Sequence, residues 1–125
     1  MTSKNDSHLV FIVDDDQSVQ SALKDLLESA GFWAQSFGSA EEFLESDQRD
    51  RGACLVTDIR MPGMLGLELQ ARLIDEGSRI PIIFITARDD AKMKRQAMKA
   101  GAIGFLPKPF DDEVLLETVR AAIKG

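Results

Sequence analysis

Histidine and cysteine are nearly missing from this chain of 125 residues, which has one of each, His8 and Cys54. A single cysteine excludes an internal disulfide, and such a pair leaves no Cys/His set for a structural zinc. Cys54 lies in an apolar run, so a buried, reduced thiol is the expectation, as in a reducing compartment. His8 closes a polar, aperiodic stretch, 1–8, expected to be a disordered tail that leaves the imidazole in solvent. Long hydrophobic runs are missing too. None approaches the ~20 residues that span a bilayer, and no signal peptide is evident, so no membrane role and a cytoplasmic location are expected. Positive charge is scarce: the net charge of −6 opposes non-specific binding to nucleic acid by this chain alone. Lys92, Lys94, Arg95 and Lys99 are a local exception, read as the solvated face of a helix unless a phosphate or partner meets them.

What is present is a repeated alternation of short apolar runs and helical periodicity. Leu9 to Val13 is an apolar run stopped by Asp14-Asp15-Asp16. Val19, Ala22, Leu23, Leu26, Leu27 and Ala30 then follow the i, i+3, i+4, i+7 spacing of a helix with one buried face, ended by Gly31. Trp33 to Phe37 predicts a second strand, and Ser39 followed by Glu42 a capped helix that turns Phe43 and Leu44 inward. Ala53 to Thr57 is a third apolar run. It meets Asp58 and then the Met61-Pro62-Gly63 turn, so Asp58 sits at a strand's carboxyl end. A helix with Leu69 and Leu73 on one face closes at Gly77. Ile82 to Thr86 is a strand apolar on both faces, Ala91 to Ala100 a helix stopped by Gly101, and Ile103 to Leu106 a fifth strand. After the stiff turn Pro107-Lys108-Pro109-Phe110, Asp111 caps a last helix that carries Leu115, Val119, Ala122 and Ile123. Five strand–helix pairs with short links imply an α/β domain: a parallel sheet covered on both sides, hence three layers.

In such a sheet the strands' carboxyl ends share one edge, so Asp14, Asp15, Asp58, Thr86 and Lys108 converge there despite their separation in sequence. Three carboxylates within ~5 Å repel by about 3 kcal/mol per pair at an effective dielectric of ~20. A hard divalent cation relieves that repulsion, and Mg²⁺ suits an open, oxygen-only site. The blander alternative, that the acids merely cap the first helix, is adopted for Asp16 alone. A metal beside an accessible carboxylate suggests that the carboxylate attacks a phosphoryl group, with the Thr86 hydroxyl and the Lys108 ammonium binding the transferred oxygens.

Together the Asp14-Asp15 pair, Asp58, Met61-Pro62, Gly66, Thr86-Ala87 and Lys108-Pro109-Phe110 resemble the receiver domain of two-component response regulators, across Leu9 to Ile123. The resemblance implies a flavodoxin-like (βα)5 sandwich with sheet order 2-1-3-4-5 and a receiver domain over 9–125. It implies Asp58 as phosphoacceptor and Asp15, Asp58 and the Arg60 backbone carbonyl as Mg²⁺ ligands, with Asp14 holding metal-bound water and Mn²⁺ as a substitute ion. Thr86 becomes the switch hydroxyl, Lys108 the phosphoryl ligand and Phe105 the aromatic that reorients on activation. A cis Lys108–Pro109 bond is implied as well. The implied partners are a sensor histidine kinase as donor and a second copy in a phosphorylation-dependent homodimer formed through the fourth helix, fifth strand and fifth helix.

Ile12 to Asp16, Thr57 to Pro62 and Met98 to Ala102 resemble the branch of the nitrogen-fixation regulator of rhizobia. Its members usually carry a LuxR-type helix-turn-helix after the receiver, so DNA contact and transcriptional control are expected only through a separate output domain. The chain stops after its fifth helix, so it is read as either a single-domain regulator or, the favoured expectation, a receiver separated from a longer protein. It is read as a signalling phosphoacceptor, not an enzyme, apart from self-catalysed phosphorylation and dephosphorylation. Two rival readings remain. Asp14-Asp15-Asp16-Gln17-Ser18 resembles the nucleophile loop of haloacid-dehalogenase-type phosphatases, with Asp14 phosphorylated instead of Asp58. The other rival is a protein-binding module on the same fold that is not phosphorylated.

Overall fold

The computed structural model describes residues 8–87 and 91–124. Among these, five strands alternate with five α-helices: β1 (Leu9–Val13), α1 (Gln17–Ser29), β2 (Trp33–Phe37), α2 (Ala40–Glu45), β3 (Cys54–Asp58), α3 (Gly66–Asp75), β4 (Ile82–Thr86), α4 (Ala91–Lys99), β5 (Gly104–Pro107) and α5 (Asp112–Lys124). The strands are all parallel, in the order β2-β1-β3-β4-β5. The flavodoxin-like architecture anticipated from the sequence is therefore present. No helix among the described residues is long and apolar enough to cross a membrane.

Strand alternation divides the core in two. Phe11, Val13, Leu55 and Phe84 face one side, where they pack with Phe43 of α2, Leu69 and Leu73 of α3 and Ala97 of α4. Val10, Ile12, Cys54, Val56, Ile83 and Ile85 face the other, against Leu23 and Leu27 of α1 and Leu115 and Val119 of α5. A sheet buried on both faces needs consecutive apolar residues, which is why β1, β3 and β4 read as unbroken runs. On the first side Phe11, Phe37 and Phe43 form an aromatic cluster, Phe11 lying 5.9 Å from Phe37 and 5.2 Å from Phe43 between ring centroids.

Helix termini follow the local chemistry. The Asp16 side chain accepts from Ser18 N–H at 2.8 Å, Ser39 Oγ from Glu42 N–H at 3.1 Å, and Asp111 Oδ1 from Glu113 and Val114 N–H at 2.9 and 3.1 Å. Gly31, Gly77 and Gly101 take positive φ just past α1, α3 and α4.

Four expectations need correction or limitation. The disordered tail falls, apart from His8, outside the described residues. His8 is not left in solvent: it is half-buried and meets Phe32 edge-on, with centroids 6.2 Å apart. Ala22 is exposed, because the stripe of α1 that meets the sheet is narrow and is filled by the larger Leu23 and Leu27. β5 starts at Gly104 instead of Ile103, which is 44% exposed. At Gly104 the chain passes under α5 so closely that a Cβ would lie 2.8 Å from Thr118 Cγ2. Two elements were not anticipated: a 3₁₀ turn over Arg49–Arg51, and the buried Gln70, which joins α3 to α4 by donating to Ala97 O at 3.1 Å.

Candidate functional site

The strands' carboxyl ends do bring the expected residues together. Carboxylate oxygens of Asp14, Asp15 and Asp58 all lie within 4.8 Å of one another, Asp14 and Asp58 buried and Asp15 exposed. Asp14 directly follows β1 and is held at four points. Its N–H donates to Phe37 O at 3.1 Å, prolonging the β1–β2 ladder, and its carbonyl accepts from Gln20 Nε2 at 2.6 Å. Its Oδ1 accepts from Asp16 N–H at 2.9 Å, while Oδ2 faces Lys108. Gln20 was not foreseen, since a polar residue one turn into an amphipathic helix is indistinguishable in sequence from any solvated neighbour.

Asp58 is the last residue of β3 and 7% exposed. Its Oδ1 accepts from Ile59 N–H at 2.7 Å and its Oδ2 from Lys108 Nζ at 3.2 Å. The same ammonium lies 3.0 Å from Asp14 Oδ2, so one cation bridges two buried carboxylates. The Lys108–Pro109 bond is cis, as the resemblance implied. Lys108 is also anchored through its backbone, its N–H donating to Thr86 O at 2.7 Å.

Side-chain parity sorts the remaining residues. Asp14, Asp58 and Lys108 continue the alternation of Ile12, Val56 and Leu106, toward α1 and α5. Thr86 continues that of Phe84 on the other face, and Phe105 pairs with Phe84 in register on that same face, its ring 6.2 Å away. Thr86 is buried and Phe105 half-buried. Arg60, two residues past Asp58, is exposed and turns its guanidinium to Met93 Sδ at 3.9 Å. Gly66 seals the loop base: a Cβ there would collide with Asp58 O.

The electrostatics explain what the cluster lacks. Burial pushes the Asp14 carboxyl above the ordinary carboxylate range; the Asp16 N–H and the Lys108 ammonium oppose this, and the Asp58 charge adds to it. Burial works against the charge of Lys108, yet contact with Asp14 and then Asp58 outweighs it, so the ammonium is held above its usual value. Three carboxylates thus share one resident cation, Lys108, whose ammonium lies 3.0 Å from the buried Asp14 Oδ2. A net negative, all-oxygen donor set of three carboxylates around one ammonium fits a hard divalent cation. The phosphatase reading fits less well: Asp14 is fully buried, and Asp16 engages its own helix through Ser18.

The family model of the response regulator receiver domain matches residues 10–120. This chain belongs to the response regulator receiver family. Among its relatives, nodulation protein W of Bradyrhizobium diazoefficiens is 46% identical over 121 residues, 97% of this chain and 53% of that protein. The transcriptional regulatory protein FixJ of Azorhizobium caulinodans is 44% identical over 91% of this chain and 54% of its own length. The chain therefore spans about half the length of these curated relatives, and it falls with the nitrogen-fixation-regulator branch. A crystal structure of FixJ-N superimposes with a TM-score of 0.84 at 39% identity, covering 99% of this receiver and 96% of that chain.

Proposed function

We propose that this receiver takes a phosphoryl group onto Asp58 from a phosphohistidine of a sensor kinase. The observation that carries this reading is the bridging of Asp14 and Asp58 by Lys108 within a cluster of three carboxylates at one sheet edge. Asp15, Asp58 and the Arg60 carbonyl would hold Mg²⁺, or Mn²⁺ in its place, with Asp14 holding metal-bound water. The ion would supply neutralisation of the acids and of the phosphoryl oxygens. An Asp58 carboxylate oxygen bonds to phosphorus as the donor's phosphorus–nitrogen bond breaks, and the electron pair leaves on the kinase imidazole. Lys108, already 3.2 Å from Asp58 Oδ2, then meets the incoming oxygens. The chain thus promotes its own phosphorylation and acts as a signalling phosphoacceptor, not as an enzyme on an external substrate.

The signal leaves on the opposite parity. Phosphorylation adds roughly −2 charge and three acceptor oxygens, drawing the Thr86 hydroxyl toward Asp58. The space vacated behind β4 lies beside Phe105, which swings inward and reshapes the α4-β5-α5 surface for dimerisation. Moving the population from 1:99 to 99:1 takes about 5.5 kcal/mol, within reach of a few charge-assisted hydrogen bonds. Transcriptional control belongs to a DNA-binding output domain of a longer protein, as the term transcriptional regulatory protein in the relatives' names suggests.

Acetyl phosphate with Mg²⁺, followed by intact-mass and hydride-trapping analysis, should reveal one phosphoryl group, absent in Asp58→Asn. Thr86→Ala should accept it yet remain monomeric in sedimentation. Label on Asp14 would overturn the acceptor assignment, and equal dimerisation of Thr86→Ala and wild type would overturn the switch.

A further inference from the structure

The two adjacent glutamates at the start of α2 have different tasks. Glu42 serves its own helix: its Oε1 accepts from Gly38 N–H at 3.2 Å, while its N–H is capped by Ser39. Glu41 instead reaches out of the helix, and its Oε2 accepts from the N–H of Met64 at 3.1 Å, across a sequence separation of 23. Met64 lies in the loop that joins Asp58 to α3. That loop is fixed at its base by Gly66 N–H to Ile59 O at 2.8 Å, at its exit by Leu65 N–H to Glu68 Oε1 at 2.8 Å, and along its inner side by buried Met61. These ties act within the loop or on the helix that follows it, whereas Glu41 holds its apex from another element. Gly63 fits this arrangement. Its φ is +84°, and a Cβ there would stand 2.7 Å from Glu41 Oε2, so the carboxylate approaches where a side chain would block it.

We infer that Glu41 is a positioning residue: by holding the apex of the 59–65 loop it fixes the backbone at Arg60 and so sets the affinity of the acidic cluster for a divalent cation. The inference rests on the functional reading above, because the Arg60 carbonyl matters only if the cluster binds metal. A carboxylate on a backbone N–H is a strong restraint for one hydrogen bond, and a loop that must present a carbonyl within tenths of an ångström loses affinity once it wanders. Among the described residues Glu41 bonds to the loop at Met64 and is not one of the three clustered carboxylates, so its effect is conveyed through the loop.

The test uses the full 125-residue chain. Amide hydrogen exchange at Met64 and Mg²⁺ affinity by calorimetry are measured for wild type, Glu41→Ala and Glu41→Gln. Losing one such hydrogen bond should speed Met64 exchange by about five-fold and weaken Mg²⁺ by about the same factor. Glu41→Gln, which keeps an acceptor oxygen without the charge, should restore most of both. If Glu41→Gln is as weak as Glu41→Ala, long-range charge is responsible and the tether is rejected. If Glu41→Ala binds Mg²⁺ as wild type does, the positioning role alone is overturned. Absence of Mg²⁺ binding in the wild type would overturn this inference together with the functional reading.

Discussion

At the amino ends of the strands the backbone closes the sheet with ordinary bonds, Ala53 N–H to Leu9 O at 2.7 Å and Ile103 N–H to Ile82 O at 2.8 Å, and the charges there are partly exposed, as in the Arg49–Glu76 pair at 2.8 Å. At the carboxyl ends Asp14, Thr57, Asp58 and Thr86 are all buried. Both ends belong to the same five strands, and the difference shows where stability is made and where it is spent. Ionised groups withdrawn from water repel one another and lose hydration, a cost that only the apolar body between the two ends can offset. The carboxyl end is therefore a place where replacing a functional side chain should stabilise the fold, whereas the same operation in the body should damage it.

Phe11→Ala tests the body and should have the largest effect. The ring is fully buried against Phe37 and Phe43, and its loss should cost about 3–5 kcal/mol in urea unfolding. A cost below ~1 kcal/mol would mean that the aromatic cluster is not where stability resides.

Asp14 and Asp16, two residues apart, sharpen the comparison through pH. The Asp14 carboxyl is raised above 3.8 by burial, so the unfolded chain gives up this proton first; its contribution to stability declines as pH climbs from 3.8 through the folded value. Asp14→Asn in metal-free buffer should be more stable than wild type at pH 7 and lose that advantage below pH 3.8. Asp16 is opposite: hydrogen bonds from the Ser18 hydroxyl and N–H lower its carboxyl, so its contribution is present above 3.8 and is lost as pH falls through the lowered value. Asp16→Ala should accordingly destabilise at pH 7 and approach wild type in acid. Urea midpoints between pH 2 and 7 for the two variants would expose any failure of this opposition.

Cys54 should give the smallest effect. Burial pushes its thiol up to about 12, so at pH 8 a thiol-specific disulfide reagent should react only as fast as the protein unfolds. Between 9.0 and about 12 the unfolded thiol ionises first, so stability falls with rising pH, and Cys54→Ala should remove that part of the slope. Rapid labelling of the native protein would show that the core around β3 opens locally.

Most of the fold was legible in the residues themselves, for a physical reason. Strands buried on both faces must be apolar throughout, helices covering them must carry one apolar stripe, and both patterns stand in the chain from Leu9 to Ile123. The bounds of β1, β2 and β4 read from those patterns match the structure, whereas β5 does not, because its start depends on how closely α5 passes over Gly104. Asp14, Asp15, Asp58 and Lys108 were legible because a charged residue that ends an apolar run has few structural reasons to be there. Gln20, Glu41 and Gln70 gave no such signal. Each is a polar residue on an amphipathic helix, where solvation and a long-range hydrogen bond look alike in sequence. The order of elements and the identity of the charged groups gathered at the sheet edge were thus determined by local chemistry. The two-sided bridge of Lys108, the raised Asp14 carboxyl and the hold of Glu41 on Met64 were decided only by tertiary structure, since distance and exclusion of water arise when segments far apart in the chain are packed together.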